Sequence, residues 1–173
     1  MRGNLIDRRD VVVRELAGRD GVRDWLRVPQ RVFAHDRAWI HPLDLVERDR
    51  ITRSKNPFFR FGEAAFFIAY RDGVPIGRLS AQINHRHLET YNDQCGHFGF
   101  FDCIDDEEAA IALHERAARW LGARGSARIR GPFNLSVNED CGMLVEGFES
   151  QPAILTSHAP PWAGDLLETC GYR

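Results

Sequence analysis

The dipeptide Asp72-Gly73 stands between two apolar runs, AAFFIAYR at 64–71 and VPIGRLSAQI at 74–83, and it restricts the fold more tightly than any other local feature. Asp-Gly is the preferred chemistry of a two-residue type I′ turn, because both central residues need a positive φ. The two runs are therefore expected to pair as an antiparallel hairpin. Around it the chain has a βαβ rhythm. A β-branched run at Val11–Leu16 reads as a first strand, and a polar break follows at 17–21. Val22, Trp25, Leu26, Pro29, Val32 and Phe33 then recur at three and four residues, the spacing of one buried helix face, with Pro29 expected to kink it.

After an irregular stretch through Pro42, residues 44–53 suit a short helix that precedes NPFF at 56–59. A polar loop holding His85, His87 and Asn92 leads to a third strand, His97–Cys103. The clearest helix comes next. Asp105 as N-cap and Glu108 three residues on form a capping box, and Ala110, Leu113, Ala117, Trp120 and Leu121 make its buried stripe. Arg124 and Gly125 close it, and Ala127–Arg130 is a further strand. Residues 133–161 are irregular but rich in apolar side chains, Leu155 among them, so an ordered, packed loop is expected. A last short helix, Trp162–Cys170, ends the pattern.

With 173 residues, 43% hydrophobic and 28% charged, the chain reads as one domain over 1–173, without repeats or linkers. Its four cysteines include no CxxC pair, so they read as reduced thiols in a cytoplasmic protein. A net charge of −2 argues against a nucleic-acid partner held by bulk electrostatics. Of its cations only Lys55 is not arginine, and they are scattered among acids. The longest apolar run, Ala64–Tyr70, is far short of the roughly 18–20 residues of a membrane span, and MRGNLIDRRD has no apolar leader core.

Five segments carry a family resemblance: DRAWIHPL at 36–43, NPFF at 56–59, AYRDGVPIGRLSAQI at 69–83, GHFGFF at 96–101 and GPFNLSVNEDCGMLVEGF at 131–148. With this order of elements the chain resembles the GNAT (Gcn5-related N-acetyltransferase) superfamily, in a bacterial branch sometimes labelled dATP pyrophosphohydrolase. The resemblance implies an α/β fold, a mixed central sheet flanked by helices. It also implies acyl transfer from acetyl-CoA or another acyl donor to a small-molecule amine. Two adjacent strands would splay to form a slot for the thioester, and the long helix would present its amino terminus to the pyrophosphate. On that reading Phe101, Cys103, Ile104 and Asp105 border the cofactor, with Arg128 and Arg130 as cations within reach of it. His97 on the slot strand is the candidate base, with Asn134 and Ser136 beside it. Arg78, Asn138 and Glu139 are the candidate substrate contacts.

Three departures from the pattern are visible. Asp105, Asp106, Glu107 and Glu108 stand where a glycine-rich loop would cradle the phosphates. Like charges a few ångströms apart repel by about 4 kcal/mol at an effective dielectric near 20. Trp162 and Ala163 occupy the place of the usual acid tyrosine, and Tyr172 comes too late. The two strands that normally follow the last helix are missing. The chain is thus expected to be C-terminally incomplete, or to leave the 127–130 strand as an edge for a partner or second copy to cover. The second functional reading is an inactive GNAT-like module that binds a small molecule or protein, and the third a nucleotide pyrophosphohydrolase. No metal is expected. The acids at 102–108 with Glu115 suit helix-dipole stabilisation better than magnesium, and His85, His87, Cys95 and His97 read as solvated loop side chains rather than zinc ligands.

Overall fold

Asp72 and Gly73 both take positive φ, 53° and 76°, and turn β2 (Gly62–Arg71) directly into β3 (Val74–Asn84). The computed structural model describes residues 10–154 and 156–173; residues 1–9 and Leu155 lie outside them. Around the hairpin the sheet has the order β1-β2-β3-β4-β5, with β1 at Val12–Glu15, β4 at Cys95–Cys103 and β5 at Arg128–Arg130. The first four strands are antiparallel, and β5 runs parallel to β4 through the crossover helix α4 (Glu107–Gly122). This is the α/β mixed sheet flanked by helices that the element order implied.

Two apolar layers sandwich the sheet. On one side Leu79, Ala81, Ile83 and Phe98 meet Leu113, Ala117 and Leu121 of α4, joined by Leu166 of α5 (Ala163–Thr169). On the other, Trp25, Leu26, Val28 and Val32 of α1 (Gly18–Val32) pack on Phe66, Ile68 and Phe100. A short α2 (Asp44–Ile51) and a 3-10 turn at Pro57–Arg60 complete that side. Among the described residues no helix is long and apolar enough to cross a membrane.

Three local readings are corrected. The segment read as a polar loop is a helix, α3 (His85–Tyr91), because the Asn84 side chain accepts the amide of His87 and caps it. The N-cap of α4 is Asp106, not Asp105. Its carboxylate takes the Ala109 amide at 3.1 Å and leaves Asp105 exposed. The polar break at 17–21 is already helix, since α1 begins at Gly18.

Candidate functional site

Arg78, Ser80 and Gln82 alternate along β3 on the side that faces α1, and all three are buried. A polar row inside a sheet is costly unless each group finds a partner. The Ser80 hydroxyl donates to Gln82 Oε1 at 2.7 Å, and Gln82 Nε2 donates to the carbonyl of Phe133. Arg78 Nε donates to Asp102 at 2.7 Å, while its guanidinium stacks on the Trp25 ring at 4.9 Å. Asp102 reaches Arg78 only because β4 carries a bulge. Arg78 pairs with Asp102 but Ser80 pairs with Gly99, so Phe100 and Phe101 together oppose Leu79, and Phe100 has φ of 49°. The extra residue resets the alternation and turns Phe100 and Asp102 towards α1, Phe101 towards α4.

From Asp102 the network spreads through α2 and the long loop. Glu47 lies 3.7 Å from Arg78 and 2.9 Å from Arg50; Arg50 in turn reaches Glu139 at 3.1 Å and Asp140 at 2.9 Å. Four carboxylates thus share two guanidiniums, a formal excess of two negative charges. Burial pushes the Asp102 carboxyl above its usual range despite Arg78. Burial would lower Arg50, but Glu47, Asp140 and Glu139 outweigh it and raise its pKa.

Glu47, Arg50, Arg78, Asp102 and Asp140 floor a cavity of about 180 Å³ whose other wall is apolar: Pro29, Phe33, Trp39, Ile40 and Pro152. His158 lines it too, and His158 Nε2 meets Asp36 Oδ2 at 2.7 Å. The other carboxylate oxygen of Asp36 accepts the amides of Ala38 and Trp39 at 2.8 and 3.3 Å, which fixes its orientation. Burial opposes ionisation of Asp36, but His158 and the two amides outweigh it and hold the carboxyl below its ordinary value. A carboxylate-oriented imidazole on the wall of a cavity has the form of a general base with its positioning group.

The sequence-derived site residues separate into two clefts. Arg78, Phe101 and Asn134 line the cavity, and Glu139 joins its network through Arg50. Asn134 Oδ1 accepts the amide of Phe100 at 2.6 Å, so the amide at the bulge is already engaged. His97, Ser136 and Arg130 line a different cleft on the far side of Phe133. Burial, chiefly, lowers the His97 pKa to about 4. Asn138 is exposed and belongs to a local turn in which its amide donates to Ser136 Oγ.

The expected slot is partly filled. β4 and β5 pair only from Cys95↔Arg128 to His97↔Arg130 and then diverge, but the Phe133 amide donates to the Phe98 carbonyl across the gap at 2.7 Å. Close packing of this segment explains two glycines: a Cβ on Gly99 would overlap the Phe133 carbonyl, and one on Gly131 would strike the Phe98 ring.

The amino terminus of α4 does not fit a pyrophosphate. Asp106 caps it, Arg71 pairs with Asp106 at 2.8 Å and Glu108 at 2.9 Å, and Trp162 Nε1 donates to the Cys103 carbonyl at 3.0 Å. The Cys103 thiol is buried, Ile104 half-buried. Arg128 and Arg130 cannot supply the missing cations. They pair beside Cys95 and His97, and the six residues from His97 to Cys103 put about 20 Å of strand between them and this turn.

Comparison with protein-family models finds no match. The chain is 40% identical over 152 residues to the bacterial ceramide synthase of Caulobacter vibrioides, spanning 87% of this chain and 40% of that protein. It is 34% identical over 162 residues to YghO of Escherichia coli K12, spanning 94% of this chain and 41% of that protein. The chain is homologous to both. It spans about two-fifths of the length of each. Among solved structures, an aminoglycoside acetyltransferase from a soil metagenome, in complex with sisomicin, superposes with a TM-score of 0.48 and 13% identity over 69% of this chain and 75% of that one.

As well as Glu47, Arg50 and Asp140, sequence reasoning missed His158 on the cavity wall and its hydrogen-bond partner Asp36. The last two lie 122 positions apart. Asp36 opens DRAWIHPL, one of the segments that carried the resemblance, but nothing near His158 marks its partner.

Proposed function

We propose that this chain carries the acyl-transfer centre of an N-acyltransferase, with His158 as the base that takes the proton of the amine and Asp36 as its positioning residue. The hydrogen bond between Asp36 and His158, whose ring lines the cavity, carries this reading. Homology to a ceramide synthase agrees with it, since a ceramide is an amide and its synthesis forms an N–C(acyl) bond. In the reaction the ammonium loses a proton to His158, the freed nitrogen attacks the acyl carbonyl, and the bond to the leaving group breaks. The leaving group departs with a proton.

The excess negative charge of the Glu47, Asp102, Glu139 and Asp140 network favours a cationic amine over an anionic acceptor. A cavity of 180 Å³ holds about six waters' worth of volume. It admits the reacting ends of two substrates and leaves their long portions outside. The donor is therefore an activated acyl group whose carrier rests elsewhere than on the capped turn of α4.

Purified protein given a fatty acyl thioester and a long-chain amino alcohol should form the amide. His158→Ala should cut the rate by about 10²–10⁴-fold, the usual contribution of a positioned base. Asp36→Asn should lower kcat and shift its pH profile while leaving the amine KM nearly unchanged. Full activity in a folded His158→Ala variant overturns the assignment. The acid-capped α4 turn favours a second reading, an inactive binding module. That reading stands if the wild-type protein makes no amide yet is thermally stabilised by the amine alone.

A further inference from the structure

Across the Phe133 segment from the cavity, α3 and the start of β4 bring together two imidazoles and a thiol. His87 comes from α3, while Cys95 and His97 are alternate residues of β4. One donor atom from each lies within 4.8 Å of the other two. We propose that His87, Cys95 and His97 bind a divalent transition-metal ion, zinc before others, and that the ion pins α3 to β4.

The donor set selects the ion. Two imidazoles and a thiolate suit zinc or cobalt and are poor ligands for magnesium or calcium, which take oxygens. Zinc–nitrogen and zinc–sulfur bonds of about 2.0 and 2.3 Å put these tetrahedral donors roughly 3.3–3.5 Å apart, so closure needs side-chain shifts of about 1 Å. The two rings already stand edge to face at 5.0 Å and 87°.

Asp93 supplies the supporting contact such sites use. Both its oxygens lie 3.1 Å from His87 Nε2, and Oδ1 also accepts the Cys95 amide at 3.1 Å. A carboxylate only accepts, so Nε2 carries the proton and Nδ1 keeps the lone pair. Binding displaces the Cys95 thiol proton to solvent. The thiolate and Asp93 together offset Arg130, the cation that lines the same cleft. His85, grouped with these residues on sequence alone, points elsewhere: it is exposed and lies 3.8 Å from Glu63.

The site braces a particular seam. His97 pairs with Arg130 at the last rung of the β4–β5 ladder and packs edge-on against Phe133 at 5.1 Å, one residue before Asn134 reaches into the cavity.

The whole chain, reduced and freed of metal with a chelator, is titrated with cobalt(II). One equivalent should give a thiolate-to-cobalt charge-transfer band in the near ultraviolet, together with the visible bands of a tetrahedral ion. Excess zinc should abolish both and raise the thermal midpoint. Cys95→Ser should remove the charge-transfer band, and Cys141→Ser, which alters an exposed thiol, should keep it. Asp93→Asn should weaken binding by about 10–100-fold. No band in the wild-type protein, or a band that survives Cys95→Ser and is lost with Cys141→Ser, overturns the proposal.

Discussion

Arg78 and Leu79 are neighbours on β3, both buried, and they face opposite layers of the molecule. Leu79 enters a layer closed by α4 with aliphatic and aromatic side chains. Arg78 enters a layer where Trp25 of α1 and Phe100 supply aromatic walls and the charged partners come from α2 and β4. The first layer is stabilised by area removed from water and tolerates repacking. The second depends on each buried charge having its partner, so it is intolerant of single changes, and its charges floor the cavity.

The sharpest way to break the contrast is to remove one charge. Arg78→Met should cost about 3–5 kcal/mol in urea unfolding, because Asp102 is left buried without its partner. The double variant Arg78→Met with Asp102→Leu should recover much of that loss. If single and double variants are equally unstable, the pair is not what holds this layer.

Glycines test the two faces at smaller amplitude. Gly99→Ala forces a Cβ into the Phe133 backbone and should lose about 2–3 kcal/mol. Gly77→Ala on the α4 face meets the side-chain ends of Leu113 and Cys103 at 2.9 and 3.0 Å, with the nearest backbone atom at an ordinary 3.5 Å, and should lose about 1 kcal/mol. Equal losses by thermal or chemical melting would deny the close approach of the 131–134 segment to β4.

The smallest effect concerns the one buried histidine of the apolar layer. His114 packs on Phe98 and Phe101; its Nδ1 meets the Tyr172 hydroxyl at 3.1 Å, and its Nε2 has no partner. Burial lowers its pKa to about 3. An unfolded histidine titrates near 6.5, so below that pH protons bind the unfolded chain preferentially and stability falls towards the folded value. Between pH 7 and 5.5 this group should cost about 1 kcal/mol, and His114→Phe should flatten that part of the profile. An unchanged slope in the variant would assign the acid sensitivity to other groups.

How much of this was legible beforehand varies with the range of the interaction. The Asp72-Gly73 turn, the Trp25 and Leu113 stripes and the strand read at 97–103 depend on neighbours within a few residues, and local pattern exposed them. The α3 helix was missed because one Asn84 cap outweighed a polar composition. The bulge at Phe100 was invisible as well, and it decides which face Asp102 joins. His97 and Asn134 both flank the expected slot in the sequence. The Phe133 segment that fills the slot assigns them to different clefts.

The sequence alone determined that β3 would alternate apolar and polar residues, since a side-chain period of two is a local property of the strand; that its polar face is buried came from the fold. It also determined that a crossover helix would follow β4, from the spacing of Ala110, Leu113, Ala117 and Leu121. Only the tertiary structure decided what meets the polar face. Asp36 and His158, Arg50 and Glu139, and Arg78 and Asp102 are joined by strand order and loop path over separations of 122, 89 and 24 residues. No periodicity encodes such pairings. They form where burial leaves a charge or an imidazole no other partner.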